Sequence, residues 1–80
     1  MWTVYILKCA DETYYVGCTS DMTERFSRHL KGQVSYTSTR LPLLIVHQSV
    51  FPDKYKAYEF EKYLKSGSGR AFAKKRLHSF

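Results

Sequence analysis

Cysteine is scarce in this chain, with only Cys9 and Cys18 among 80 residues. Two cysteines cannot make a disulfide framework, and without a third or fourth there is no zinc knuckle. They flank a predicted hairpin, where they could approach each other. The preferred reading is two buried free thiols. Glycine and proline are also few, at four and two. No stretch of the chain reads as a linker or as low complexity. The longest apolar run, Leu41 to Val46, falls far short of the roughly 20 residues that cross a bilayer. No basic, hydrophobic leader precedes Thr3, so the expected location is the cytoplasm and no membrane partner is expected.

Acidic side chains are the other shortage. Seven Asp and Glu stand against 13 Lys and Arg, for a net charge of +6. With 44% apolar residues, the chain reads as one small folded domain over residues 1–80, near the lower size limit for folding without staples. Its surplus charge points to an anionic partner, and nucleic acid is the commonest large one.

Thr3 to Cys9 is rich in β-branched and aromatic residues and predicts a strand. Ala10 to Thr13 is turn-like, and Tyr14 to Cys18 predicts the return strand of a hairpin. Gly17 inside that strand marks a bulge, a bend or a close backbone approach. Asp21 can cap a first helix, with Glu24 three residues on as in a capping box. Met22, Phe26 and Leu30 give that helix an apolar stripe, and Gly32 stops it. Gln33 to Thr39 reads as a polar connection. Leu43 to Val50 predicts a third strand. Pro52-Asp53 opens a second helix with Ala57, Phe60 and Leu64 on its apolar face. Ser66 to Gly69 breaks it. Arg70 to Leu77 predicts a short final helix, apolar at Phe72 and Leu77. The order β-β-α-β-α-α suits an α+β fold, a small three-stranded antiparallel sheet flanked by helices.

Several polar residues stand out against this frame. Glu61 shares the helical face of Ala57 and Leu64. A carboxylate tilted toward a core needs a cation, a metal or a donor. It is either a boundary residue paired with Lys65 or a metal ligand in a cleft. Arg25 and His29, one turn apart, are either an exposed Arg with a half-buried His or a paired phosphate contact. Tyr5 and Tyr15 fall on the two hairpin strands. Their rings share a face only if opposed residues sum to an even number. That requires an odd-length loop, such as three residues, or a bulge near Gly17. A two-residue Asp11-Glu12 turn would separate them.

Taken together, these residues resemble the GIY-YIG nuclease family. Thr3-Val4-Tyr5 stands where the family has its first triplet, and Tyr15-Val16-Gly17 stands where it has its second. The stretch from Gly17 through Asp21-Met22 to Arg25 and His29 is similar to the segment after the second triplet. Ala57, Glu61 and Leu64-Lys65 resemble the carboxylate-bearing helix. Ser66 to Phe72 looks like the ending of small stand-alone members, which are similar to the N-terminal nuclease domain of an excision-repair endonuclease. Thr3-Val4 replaces Gly-Ile, Val16 replaces Ile, and His47 stands where many relatives carry Tyr.

The resemblance implies divalent-metal-dependent hydrolysis of DNA phosphodiesters, in repair or recombination, on a branched, nicked or single-stranded form. It implies Glu61 as the protein ligand to Mg²⁺ or Mn²⁺, and Tyr5 as the acceptor of a proton from water. Arg25 would bind the scissile phosphate. His29 would relay a proton or hold the phosphate, and Tyr15 would position water or phosphate. Gly17 would let the backbone turn close to the site. Arg28, Lys31, Lys65, Arg70, Lys74, Lys75 and Arg76 would contact DNA, four of them in a stretch with no acidic residue. A protein partner or a second copy would supply target choice. The alternatives are a nucleic-acid-binding module without catalysis and a partner-binding domain whose charge is incidental.

Overall fold

The central strand is the first one in the chain. In the computed structural model, which describes residues 1–76, β1 (Trp2–Lys8) pairs antiparallel with β2 (Tyr14–Thr19) on one side and β3 (Leu44–Phe51) on the other. Val4 to Leu7 are buried without a break, because helices cover both faces of β1. The even-numbered face carries Val4 and Ile6, with Trp2, Val16, Cys18, Val46 and Phe51 around them. This face meets α3 (Lys54–Lys65) and α4 (Gly67–Arg76) through Ala57, Phe60, Leu64 and Ala73. The odd-numbered face carries Tyr5, which meets α1 (Met22–Leu30), while α2 (Ser35–Ser38) reaches the same face through Tyr36. The fold is α+β, in the expected order, with one added turn of helix. That turn, α2, lies in the segment expected to be a polar connection.

The hairpin register decides which tyrosines meet. Opposed pairs run Thr3↔Thr19, Tyr5↔Gly17, Leu7↔Tyr15 and Lys8↔Tyr14. The pairing continues as the Cys9 N–H donates to the Thr13 carbonyl, at 2.8 Å. The loop is therefore Ala10-Asp11-Glu12, of odd length. A turn closes it, with the Glu12 N–H donating to the Cys9 carbonyl at 3.0 Å and Glu12 at φ 66°. A turn followed by one left-handed residue is the common three-residue hairpin loop. The even sum holds, and Tyr5 and Tyr15 share a face. On the other side, the pairing steps from Ile6↔His47 to Leu7↔Ile45, so Val46 is the extra residue of a bulge. Cys9 and Cys18 fall on opposite faces as free thiols.

The helix signals hold locally. The Asp21 carboxylate accepts the Glu24 N–H at 3.0 Å, and Asp53 accepts the Tyr55 N–H at 2.8 Å. Gly32, at φ 73°, ends α1 in a Schellman motif. The Gly32 N–H reaches the His29 carbonyl at 3.0 Å, and the Gln33 N–H reaches that of Arg28 at 2.9 Å.

Two faces differ from expectation. In α1 the inward side chain is His29, which is fully buried, while Leu30 is half exposed. The apolar stripe is rotated because polar partners wait for His29 beneath the helix. In α4 the helix begins at Gly67, so only Ser66 breaks α3 from α4. The Ser66 hydroxyl donates to the Tyr63 carbonyl at 2.6 Å and accepts the Gly69 N–H at 3.1 Å, closing one helix and opening the next. Gly69 and Ala73 face inward, and Phe72 lies at the surface against Tyr63. Leu77, expected at the end of the final helix, lies outside the described residues. No helix among the described residues is long and apolar enough to cross a membrane.

Candidate functional site

Tyr5 occupies the middle of the central strand, directly opposite Gly17. Its ring lies across the glycine. A Cβ on Gly17 would stand 2.4 Å from both Cζ and Oη of Tyr5. Here the close approach expected at Gly17 is an approach by an aromatic ring. Glycine is needed because the ring cannot swing aside: Tyr5 is fully buried, and its hydroxyl is 2.8 Å from His29 Nε2.

His29 hangs from α1 between two partners. Its Nδ1 is 2.7 Å from Thr37 Oγ1 on α2. The Thr37 hydroxyl in turn donates to the Val34 carbonyl at 3.4 Å. In the tautomer that leaves the Thr37 proton on that carbonyl, the Thr37 oxygen accepts from His29 Nδ1–H, and Nε2 accepts from the Tyr5 hydroxyl. Thr37 is fully buried. Sequence reasoning misses it, because nothing local marks a threonine in a polar connection as the partner of a residue on another helix. Tyr15 closes the cluster, its ring centroid 4.9 Å from that of His29 and 6.1 Å from that of Tyr5.

The electrostatics follow from burial. Burial raises the Tyr5 hydroxyl far above the ordinary phenol range; Tyr15 adds to the rise, and the Arg25 guanidinium opposes it. Burial lowers His29, and the nearby charges of Arg25 and Arg28 lower it further. Both groups are held neutral. Stability therefore falls on both sides of neutrality. Below the ordinary histidine value of 6.5, the unfolded chain takes up a proton that the folded chain refuses. Acid then destabilises by at most about 1.4 kcal/mol per pH unit from this group. Above the ordinary tyrosine value of 10.0, the unfolded chain loses a proton that folded Tyr5 keeps, so alkali destabilises. Thermal melting across pH should show a plateau between these limits. An unchanged melting temperature from pH 7 to 5.5 would contradict a neutral, buried His29.

Arg25 stands between this cluster and a second one. Its charge bears on Tyr5 and His29, and also on the Cys18 thiol. Its Nε is buried without a hydrogen-bond partner. Glu61, on α3, also acts on Cys18, whose thiol is pushed up first by burial and then by that carboxylate. The Glu61 side chain is partly exposed and pairs with Lys65 Nζ at 3.1 Å. The structure thus brings Tyr5, Tyr15, His29 and Arg25 together over Gly17. It places Glu61 on the helix across the sheet, in the boundary pair with Lys65 that helical spacing allows.

The basic residues divide by position. Arg28 lies 3.8 Å from Glu24, an exposed pair of little energetic weight. Lys31, Lys75 and Arg76 are exposed. Lys65, Arg70 and Lys74 line a groove of about 840 Å³ that also takes in Tyr14, Tyr15 and Tyr36. Arg40 fixes the Tyr36 wall. Its guanidinium lies 4.1 Å over the Tyr36 ring, its Nε donates to Asp11 at 3.0 Å, and its carbonyl accepts the Ala10 N–H at 2.9 Å. The tip of the hairpin is thereby tied to α2.

Comparison with known proteins gives a consistent result. The family model described as the GIY-YIG catalytic domain matches residues 1–76. A UPF0213 protein of Cupriavidus necator is 37% identical over 75 residues, covering 89% of this chain and 82% of that protein. A UPF0213 protein of Streptococcus pyogenes is 36% identical over 69 residues, covering 85% of this chain and 75% of that one. The solution NMR structure of a UPF0213 protein from Bacillus halodurans superposes with a TM-score of 0.60 at 35% identity, over 94% of this chain and 82% of that one.

Proposed function

The chain belongs to the GIY-YIG catalytic-domain family, and from that membership we propose that it is a divalent-metal-dependent endonuclease hydrolysing DNA phosphodiester bonds. The observation that carries the reading is the hydrogen-bonded chain Tyr5–His29–Thr37 beside Arg25. A buried row of neutral, proton-passing groups flanked by a cation is more than packing demands.

Glu61 is the residue that would hold the metal. Among the described residues no three His, Cys, Asp or Glu side chains gather. A single hard carboxylate suits Mg²⁺ or Mn²⁺, ions that keep much of their water and draw other ligands from phosphate. It does not suit zinc, which takes three or four protein ligands. When bound, such an ion neutralises phosphate charge and acidifies water.

The remaining work falls to side chains of this fold. Arg25, with an unpartnered buried N–H, binds a scissile-phosphate oxygen and offsets its growing charge. Tyr5 is too weak an acid here to rest as phenolate. It serves as a relay: its oxygen accepts a proton from water while its own proton passes to His29 Nε2. Burial and the Arg25 and Arg28 charges oppose a proton on His29 in the free protein. It therefore takes one only as negative charge gathers on the reacting phosphate beside it, and its Nδ1–H stays on Thr37. Tyr15 packs against the imidazole and keeps it aimed. The relay joins the two roles that the family resemblance implies, Tyr5 as acceptor from water and His29 as proton relay.

The test is a panel of duplex, single-stranded, flap and junction DNAs with Mg²⁺ or Mn²⁺. Cleavage of at least one, lost in EDTA, is expected. If none is cut while salt-sensitive binding persists, the binding-module reading replaces this one.

A further inference from the structure

We propose that the groove beside β2 holds an unpaired DNA strand, with bases on Tyr36 and Tyr14 and phosphates along Lys65, Arg70 and Lys74. The inference rests on the nuclease reading for its choice of DNA and names the form of DNA that reaches the site.

Three observations carry it. The first is the pairing of chemistries. Three tyrosines and three cations share one groove with Ile6, Val16, Leu64 and Ala73, and among the described residues no carboxylate lines it. Stacking platforms beside a cationic track are what a single strand requires, since every base has a face to stack and every residue a phosphate to neutralise. A duplex keeps its base faces buried and offers phosphates to its partners, which leaves tyrosine faces nothing to stack on. The second is size. About 840 Å³ lies within the range that holds a compact organic ligand, which gives room for a base or two of an unpaired strand to enter. The third is continuity. Tyr15 belongs to both the groove and the His29 cluster, and its ring lies 5.7 Å from that of Tyr36. A strand stacked on Tyr36 therefore leads toward Arg25 and Tyr5.

Tyr36 is also prepared for this role. It is 39% exposed, although large and aromatic. Arg40 covers one face of its ring and fixes its orientation before any ligand arrives, which leaves the opposite face as the one for a base. Tyr14, 37% exposed, stands on the β2 side of the same groove.

The experiment measures fluorescence anisotropy of a labelled oligo-dT and of a blunt hairpin duplex, in EDTA, with the wild-type chain. The unpaired strand is expected to bind more tightly. Tyr36→Ala should weaken it by roughly five- to hundred-fold, the loss of one stacked base. The duplex should change less than two-fold. Tyr36→Phe should bind like wild type, since the ring is kept. Lys74→Ala should weaken single-strand binding and reduce the slope against log salt by about 0.7. Thermal melting confirms that each variant folds, and Tyr14→Ala supplies a second variant on another element. Equal or tighter duplex binding overturns the proposal. So does Tyr36→Phe failing as badly as Tyr36→Ala with the fold intact. Because cleavage is not read, the two ideas fail separately. A chain that cuts nothing yet grips oligo-dT through Tyr36 loses the nuclease reading and keeps the groove. A chain that cuts duplex DNA with affinity indifferent to Tyr36 does the reverse.

Discussion

Glu61→Ala is expected to abolish cleavage while DNA binding survives. The substitution removes the carboxylate to which the proposed mechanism gives the metal. Loss of a single preorganised charge at a reacting phosphate costs about 10²–10³-fold in rate, and loss of the metal ligand should cost at least that. The fold should hardly notice. The Glu61–Lys65 contact is a partly exposed pair one helical turn apart, worth about 0.3–0.5 kcal/mol. Freed from its partner, Lys65 adds a cation to the groove, so affinity for DNA should stay level or rise. Glu61→Gln, similar in shape but uncharged, should behave alike. Initial cleavage rates with Mg²⁺, read beside anisotropy and melting, check all three parts. Cleavage at the wild-type rate would remove Glu61 from the site. Lost binding in a folded variant would show that the residue does something other than hold a metal.

The second large effect concerns stability. Gly69→Ala should strongly destabilise the protein, although alanine is the better helix former. A Cβ at position 69 would stand 1.7 Å from the Tyr63 carbonyl oxygen, 2.4 Å from its carbon and 2.7 Å from Leu64 Cα. All three are backbone atoms of α3, so no rotamer change relieves the clash. Helix α4 must withdraw, and Ala73 must leave the core it shares with Leu64. The propensity gain of roughly 1 kcal/mol is outweighed by overpacking, which here should reach about 3 kcal/mol or more. That corresponds to a melting temperature at least ~10 °C lower in a chain of this size. Gly67 provides the contrast. Nothing lies within 4 Å of its added Cβ, so Gly67→Ala should be neutral or mildly stabilising. Similar melting of the two variants would contradict the close helix packing.

The difference between those glycines shows what the sequence could and could not disclose. Ser-Gly-Ser-Gly looks like a breaker, and only its first residue breaks anything. Gly69 is a packing requirement, set by a helix whose distance no local pattern encodes. Signals that act over one turn were legible. Asp21, Asp53 and Gly32 terminate helices where expected, because capping is a matter of adjacent backbone. The tyrosine pair was legible up to a condition, since parity tied it to an odd loop, and Ala10-Asp11-Glu12 meets that condition. The inward turn of His29 was legible only in part, as the half-buried histidine of one reading. Apolar periodicity favoured Leu30, and what outweighed it was a hydroxyl from β1 and another from α2. The pairing of Glu61 with Lys65 was one of two readings that helical spacing permits. Thr37 left no trace, because its role exists only once α1 and α2 are folded against each other.

The Arg40 clasp gives the groove an unusual response to its medium. Ordinary salt competes with phosphates for Lys65, Arg70 and Lys74. Here it also reaches the fitting that holds the aromatic wall, since Arg40 and Asp11 remain 32% and 47% exposed in their side chains. Rising salt weakens an exposed pair of this kind. As it does, the brace on the Tyr36 ring loosens. Ionic strength then loosens the cations' hold on the ligand and the receptor's own shape together. Affinity should fall more steeply than a tally of cations at the groove would suggest. The hairpin turn at Asp11, which lies outside the groove lining, thereby becomes a tensioning element of the grip.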